Sequence, residues 1–127
     1  MRIVISNSAG IPIYEQIKEQ IKAAILSGEV SEGEILPSIR QLAKELRISV
    51  ITTTRAYGDL EQEGFVANVQ GKGCYVLPKN TEMVREQLLK DIESSLVTAI
   101  NTAKIAKIGR KELESIFEIM LKEENYE

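Results

Sequence analysis

The chain has 127 residues, 43% of them hydrophobic and 28% charged, enough for one domain plus an appendage. It holds no histidine and a single cysteine, Cys74, which excludes the usual zinc sites, a Ser-His-Asp or Cys-His triad and an intrachain disulfide framework. Sixteen Lys and Arg against nineteen Asp and Glu give a net charge of −3, and neither residues 1–78 nor 79–127 are basic overall, unlike many nucleic-acid binders.

Pro12 suits a first helical position, and Ile13, Ile17, Ile21, Ala24 and Ile25 recur at helical spacing as far as Gly28, so a first helix is predicted over Ile13–Ser27. Residues 28–36 carry turn chemistry without a period, with a short extended piece at Ile35-Leu36 that Pro37 ends. Ser38 and Gln41 form a capping-box pair in front of Ile39, Leu42, Ala43 and Leu46, which mark a short second helix. Arg47-Ile48-Ser49 breaks that pattern. Ser49 caps a third helix from Val50 to Glu63, whose inward stripe is Thr53, Ala56, Tyr57 and Leu60. Gly64 stops it, and Phe65–Val69 and Cys74–Leu77 read as strands joined by Gln70-Gly71-Lys72-Gly73. Beyond Pro78, Met83, Leu88, Ile92, Leu96, Ala99, Ala103 and Ala106 mark a long helix. Gly109 punctuates, and Leu113, Ile116, Phe117, Met120 and Leu121 mark a last one.

Three helices and a hairpin, with a three-residue turn between the second and third helices, is the order of a winged helix-turn-helix. The predicted fold is mainly α with a small β-hairpin. Residues 1–78 form the winged helix-turn-helix DNA-binding domain, and residues 79–127 form a two-helix dimerisation and effector-response region. The lone cysteine and the absence of a secretory segment in Met1–Ser6 point to the cytoplasm, and no apolar run is long enough to span a membrane.

Four blocks in order carry a resemblance: Pro12-Ile13-Tyr14-Glu15-Gln16-Ile17, Leu36-Pro37-Ser38-Ile39-Arg40-Gln41-Leu42-Ala43, Arg55-Ala56-Tyr57 through Leu60-Glu61-Gln62-Glu63-Gly64-Phe65-Val66, and Gly71-Lys72-Gly73-Cys74-Tyr75-Val76. Over residues 12–77 the chain resembles the GntR family of bacterial transcription regulators. Its tail of about fifty residues resembles the YtrA-type subfamily. That resemblance implies a repressor, often of an operon encoding an ABC transporter. It also implies that Arg40, in the Pro-Ser-x-Arg block, meets DNA phosphate.

The remaining contact residues follow from position. Ser38 caps its helix and can share a phosphate, while Ser49 and Thr52 place hydroxyls in the first turn of the third helix, where phosphates dock. Opposite the inward stripe lie Ile51, Thr54, Arg55 and Gly58, where base edges would be read. The commoner family pattern has a polar residue at 50, Thr or Asn at 51 and often Arg at 54; this chain has Val50, Ile51 and Thr54. Ile51, with Val50, is then expected to pack on thymine methyls while Thr54 and Arg55 make polar contacts; alternatively Val50 and Ile51 pack on the first helix or the wing. Gly71 and Gly73 satisfy a turn, Lys72 between them carries the charge to phosphate, and Cys74 packs as a small hydrophobe rather than as a redox sensor.

The two C-terminal helices each carry one apolar stripe that a finished winged helix does not cover. Pairing with a second copy is the economical solution. The expected interface is Met83, Leu88, Ile92, Leu96, Ala99, Ala103, Phe117 and Met120; the competing placement is against the chain's own winged helix. A homodimer would double the phosphate contacts and call for an inverted-repeat operator in double-stranded DNA. A small-molecule effector near the dimer helices or the domain junction would act by changing the separation of the recognition helices. The other class of function is a protein-interaction winged helix without specific DNA binding, which the acidic charge favours. No cofactor or catalytic group is indicated.

Overall fold

Helix α1 (Ile13–Ser27) aligns Ile17, Ile21 and Ile25 on one face, and all three are buried. It starts behind Pro12, whose carbonyl accepts from the Glu15 and Gln16 amides at 3.1 Å each. The computed structural model describes residues 1–8 and 10–127. Residues 1–6 form an arm pinned to α1 by two glutamine amides. Val4 N–H donates to Gln20 Oε1 at 2.9 Å while Gln20 Nε2 donates to the Val4 carbonyl at 2.8 Å. Gln16 does the same for Ser6, with both bonds at 2.8 Å. The match has a geometric reason: four helical residues rise about 6 Å and two extended residues span about 6.6 Å.

Helices α2 (Ile39–Leu46) and α3 (Val50–Gln62) form the helix-turn-helix. Ser38 Oγ accepts from the Gln41 amide at 3.1 Å, as a cap should. The capping box is only half made. Gln41 Nε2 donates instead to Glu45 Oε1 at 3.0 Å, one turn on, rather than folding back to Ser38. The turn between the helices passes through Arg47 in the left-handed region (φ 57°), a conformation that costs a non-glycine residue about 1 kcal/mol. The helix-end geometry offsets this, since the Arg47 amide reaches the Ala43 and Lys44 carbonyls.

Thr53, Ala56, Tyr57 and Leu60 turn inward as predicted, and α3 packs on both α1 and α2. Tyr57 is buried to its hydroxyl, which donates to the Pro37 carbonyl at 2.6 Å. Strands β1 (Val66–Val69) and β2 (Gly73–Val76) pair antiparallel with Val66 opposite Val76. Ile35 adds a single rung opposite Tyr75. Each strand is displaced slightly from its predicted span. Phe65 is spent on the turn leaving α3, its amide donating to the Leu60 carbonyl at 3.0 Å, and Leu77 pairs with the Phe65 carbonyl beyond the ladder. The hairpin is tied to α3 through Glu61 Oε2, which accepts from the Asn68 amide at 2.8 Å.

The chain divides into two compact units, Met1–Gln87 and Leu88–Glu127, the division falling within α4 (Glu82–Ile105). In the first unit it is Val84, not Met83, that enters the core, with 1% of its surface exposed. Met83 stays 54% exposed and its side chain lies across Gly64, where a Cβ would come within 2.8 Å of the sulfur. Gly64 also has φ +89°, so both space and backbone require glycine there.

In the second unit α4 ends at Ile105, leaving Ala106 in the turn, and α5 (Arg110–Glu123) follows. Lys107, at φ 58°, makes the reversal. Gly109 precedes α5 with ordinary extended backbone, so glycine's freedom is not what punctuates the helices. Beyond their connecting turn α4 and α5 hardly touch, and α5 has no buried residue. Among the described residues no helix is long and apolar enough to cross a membrane.

Candidate nucleic-acid interface

Helix α3 has two unlike faces. Opposite the buried stripe, Ile51 is 83% exposed and Val50 44%, and Thr54, Arg55 and Gly58 are exposed beside them. Packing of Ile51 against α1 or the hairpin is therefore ruled out within this chain. An isoleucine so exposed on a helix surface costs apolar hydration and has the shape and chemistry to meet a thymine methyl.

The polar atoms at the start of α3 are already organised. Ser49 Oγ accepts from the Thr52 amide at 3.0 Å and shares a hydrogen bond with Thr52 Oγ1 at 2.8 Å. The cap leaves the α3 N-terminus defined, with amides of the first turn unspent by intrahelical bonding. Ser38 plays the same part for α2, and Arg40 stands exposed in that helix's first turn.

Charge is distributed less evenly than the total suggests. Glu63 lies between Lys18 Nζ at 3.0 Å and Lys22 Nζ at 3.2 Å, tying the end of α3 to α1. Lys22 is 4% exposed and also lies over the Phe65 ring at 5.4 Å. Burial works against the Lys18 ammonium, but the hydrogen bond and charge of Glu63, helped by Glu19 and Asp59, hold its pKa above the ordinary lysine value. Of the acids at the end of the recognition helix, Glu63 is paired with two lysines and Glu61 is held by the Asn68 amide. Among the described residues Arg40, Lys44, Arg47 and Lys72 make no ion pair, so local positive charge survives in an acidic chain.

Arg55 has a partner that position alone does not reveal. Its guanidinium carbon lies 3.7 Å from the centroid of the Tyr14 ring, from the first turn of α1. Tyr14 belongs to the first sequence block, but periodicity marks only Ile13 and Ile17 there, because an aromatic at a half-buried position gives no periodic signal.

At the hairpin tip Gly71 and Gly73 have φ +82° and +101°, which explains both glycines by the turn, and Lys72 between them is exposed. Cys74 is 4% exposed, and its thiol is pushed up to about 11, by burial first and then by Glu61. It is the reverse of a reactive thiolate. The structure therefore sets Cys74 in the core as a small buried side chain.

Of the residues named for an interface between copies, Ile92, Leu96, Ala99, Phe117 and Met120 are exposed and Leu88 is partly so. Ala103 is already 6% exposed, covered within its own chain, and Met83 is engaged with Gly64. Val97, Ile100 and Ile119 are exposed apolar residues that the sequence stripe omits, at 54%, 43% and 56%. Near the α4–α5 turn a cavity of about 450 Å³ is lined by Ile100, Ala103, Ile108 and Leu113 together with Lys104, Arg110 and Glu114.

Comparison with known proteins gives a consistent picture. Residues 13–76 match the profile of bacterial regulatory proteins of the gntR family. The transcriptional repressor YtrA of Bacillus subtilis (strain 168) is 34% identical over 116 residues, 91% of this chain and 87% of that protein. Two further repressors match over only 21% and 35% of their own lengths. Among solved structures, YtrA from Sulfolobus acidocaldarius, a GntR-family transcription factor, superposes with a TM-score of 0.60 at 32% identity, covering 97% of this chain and 99% of that one. The DNA-binding domain of AraR, solved in complex with operator ORR3, superposes with a TM-score of 0.51 at 29% identity, covering 60% of this chain and 92% of that one.

Proposed function

The chain belongs to the gntR family of bacterial regulatory proteins, whose members are transcriptional regulators and not enzymes, and from that premise we propose that it is a homodimeric, cytoplasmic repressor of its own operon. Residues 1–78 bind an inverted-repeat operator and residues 79–127 hold the two copies together. The regulated operon encodes an ABC transporter, and a small molecule at the C-terminal helices adjusts DNA affinity. The cavity at the α4–α5 turn, at about 450 Å³, has the size and apolar lining of a small-ligand site.

One observation carries the reading: α3 buries Thr53, Ala56, Tyr57 and Leu60 while leaving Ile51 83% exposed beside Thr54 and Arg55. A helix with that face is built to enter a groove. Ile51 and Val50 pack on thymine methyls, Thr54 and Arg55 make polar contacts, and Arg40, Ser38, Ser49, Thr52 and the Gly71-Lys72-Gly73 tip hold phosphate. Two copies on one operator double the phosphate contacts made by the exposed cations Arg40 and Lys72, and it is this local charge rather than the net charge of −3 that meets the polyanion.

The test is fluorescence anisotropy on the chain's own promoter fragment against a scrambled fragment at two salt concentrations. A preference of roughly a thousandfold with a steep salt slope is expected. Equal, weak binding to both fragments would overturn the repressor reading in favour of a protein-interaction module.

A further inference from the structure

Arg55 is exposed on α3 and, among the described residues, forms no hydrogen bond and no ion pair. Its natural helical partner, Asp59 one turn along, does not hold it. The Tyr14 ring does, at 3.7 Å. Tyr14 is itself half-buried and stands on α1, which packs along α3, so the ring is a fixed platform.

We propose that Tyr14 is a positioning residue for sequence readout: its ring stacks the Arg55 guanidinium and holds it in the orientation that meets a base edge in the major groove. The proposal rests on the DNA-binding reading above. A guanidinium stacked through its face keeps all five N–H donors free in its plane, which is the edge a bidentate acceptor on a base requires. The stack also keeps the charge from being quenched by Asp59. An unfixed arginine would lose its rotamer freedom only on binding DNA, and that cost would fall on the specific complex, where geometry is demanded, more than on non-specific phosphate contact.

The experiment uses the full chain as wild type, Y14F, Y14L, R55A and the Y14L/R55A pair. Each is titrated by anisotropy against a duplex that the wild type selects from a random-sequence pool and against a scrambled duplex, at two salt concentrations, with thermal melts to establish folding. Y14F keeps the ring and should bind within about twofold of wild type. Y14L should lose about tenfold on the selected duplex and less than twofold on the scrambled one, with an unchanged salt slope because no phosphate contact is removed. In the R55A background Y14L should have no further effect. Three outcomes overturn the proposal: Y14L as selective as wild type, Y14L and R55A losses that simply add, or Y14F as damaged as Y14L, which would make the phenol hydroxyl the contact. A wild type that selects no sequence would instead overturn the DNA-binding reading, and this inference with it.

Discussion

Helices α1 and α4 carry the same kind of apolar stripe and meet opposite ends. In the unit Met1–Gln87, Ile17 and Ile21 of α1 are 0% exposed, and α1 packs against α3. In Leu88–Glu127, Ile92 of α4 is 56% exposed, Leu96 43%, and Phe117 of α5 50%. The periodicity that predicts a helix also predicts that its stripe will be covered, but it does not say by what. Where the chain supplies the cover, the stripe becomes a core; where it does not, the apolar side chains stay at the surface, and the proposed dimer is what would cover them. The first unit covers its own stripes, and the second leaves most of its apolar residues exposed.

The same leucine-to-alanine change should act differently in the two regions. Leu60→Ala, at a position with 0% exposure, should destabilise the chain by about 3 kcal/mol in urea denaturation. Leu96→Ala should leave that unfolding free energy nearly unchanged at low concentration and act on self-association alone. If Leu96→Ala destabilised the isolated chain equally, the contrast between the regions would fail.

The open half can be broken outright. On the proposed homodimer, Ile92→Glu combined with Phe117→Glu should convert dimer to monomer by light scattering and lower operator affinity by about a hundredfold, since each copy would then bind a half-site alone. The melting transition of the first unit should persist.

The closed half has a titration signature. Burial pushes the Cys74 thiol from 9.0 up to about 11. A pKa raised in the folded state means that its contribution is complete below the unfolded value and disappears as pH climbs from 9 towards 11, a loss of about 2 kcal/mol after allowance for partial burial. Tyr57, raised by burial and then by Cys74 and Glu45, adds to the decline from its ordinary value of 10.0 upward, and Lys18 from 10.5 upward. Urea denaturation between pH 8 and 11 should show this fall, and Cys74→Ala should flatten it between pH 9 and 10, below the onset of the Tyr57 contribution. The smallest effect is Ser38→Ala, which removes the cap on the Gln41 amide and should cost about 1 kcal/mol in the same assay.

Much of the fold is legible from local rules. Helix α1 lies where Pro12 and Gly28 bound it, and the α3 stripe is fully buried, because both helices pack in an environment their own periodicity matches. The candidate DNA face follows as the complement of that stripe. What escapes is whatever depends on two elements meeting. Val84 rather than Met83 enters the core because the approach of α4 to Gly64 decides which of two adjacent residues is covered. The Tyr14–Arg55 stack joins residues forty-one positions apart, and Gln16 and Gln20 read as solvated helix positions until the arm lies beside them. Glu63, an objection to DNA binding when counted as a charge, is paired with two lysines of α1, and Glu61 is held by the Asn68 amide of the hairpin.

The arm has one more consequence, in the language of amide exchange. Val4 and Ser6 donate their N–H groups to glutamine side chains, while Ile3 and Ile5, between them, donate to nothing among the described residues. Deuterium should therefore enter at alternate positions, fast at Ile3 and Ile5 and slow at Val4 and Ser6. That is the two-residue rhythm of a sheet edge, written by side chains on a helix, in a stretch where no strand exists.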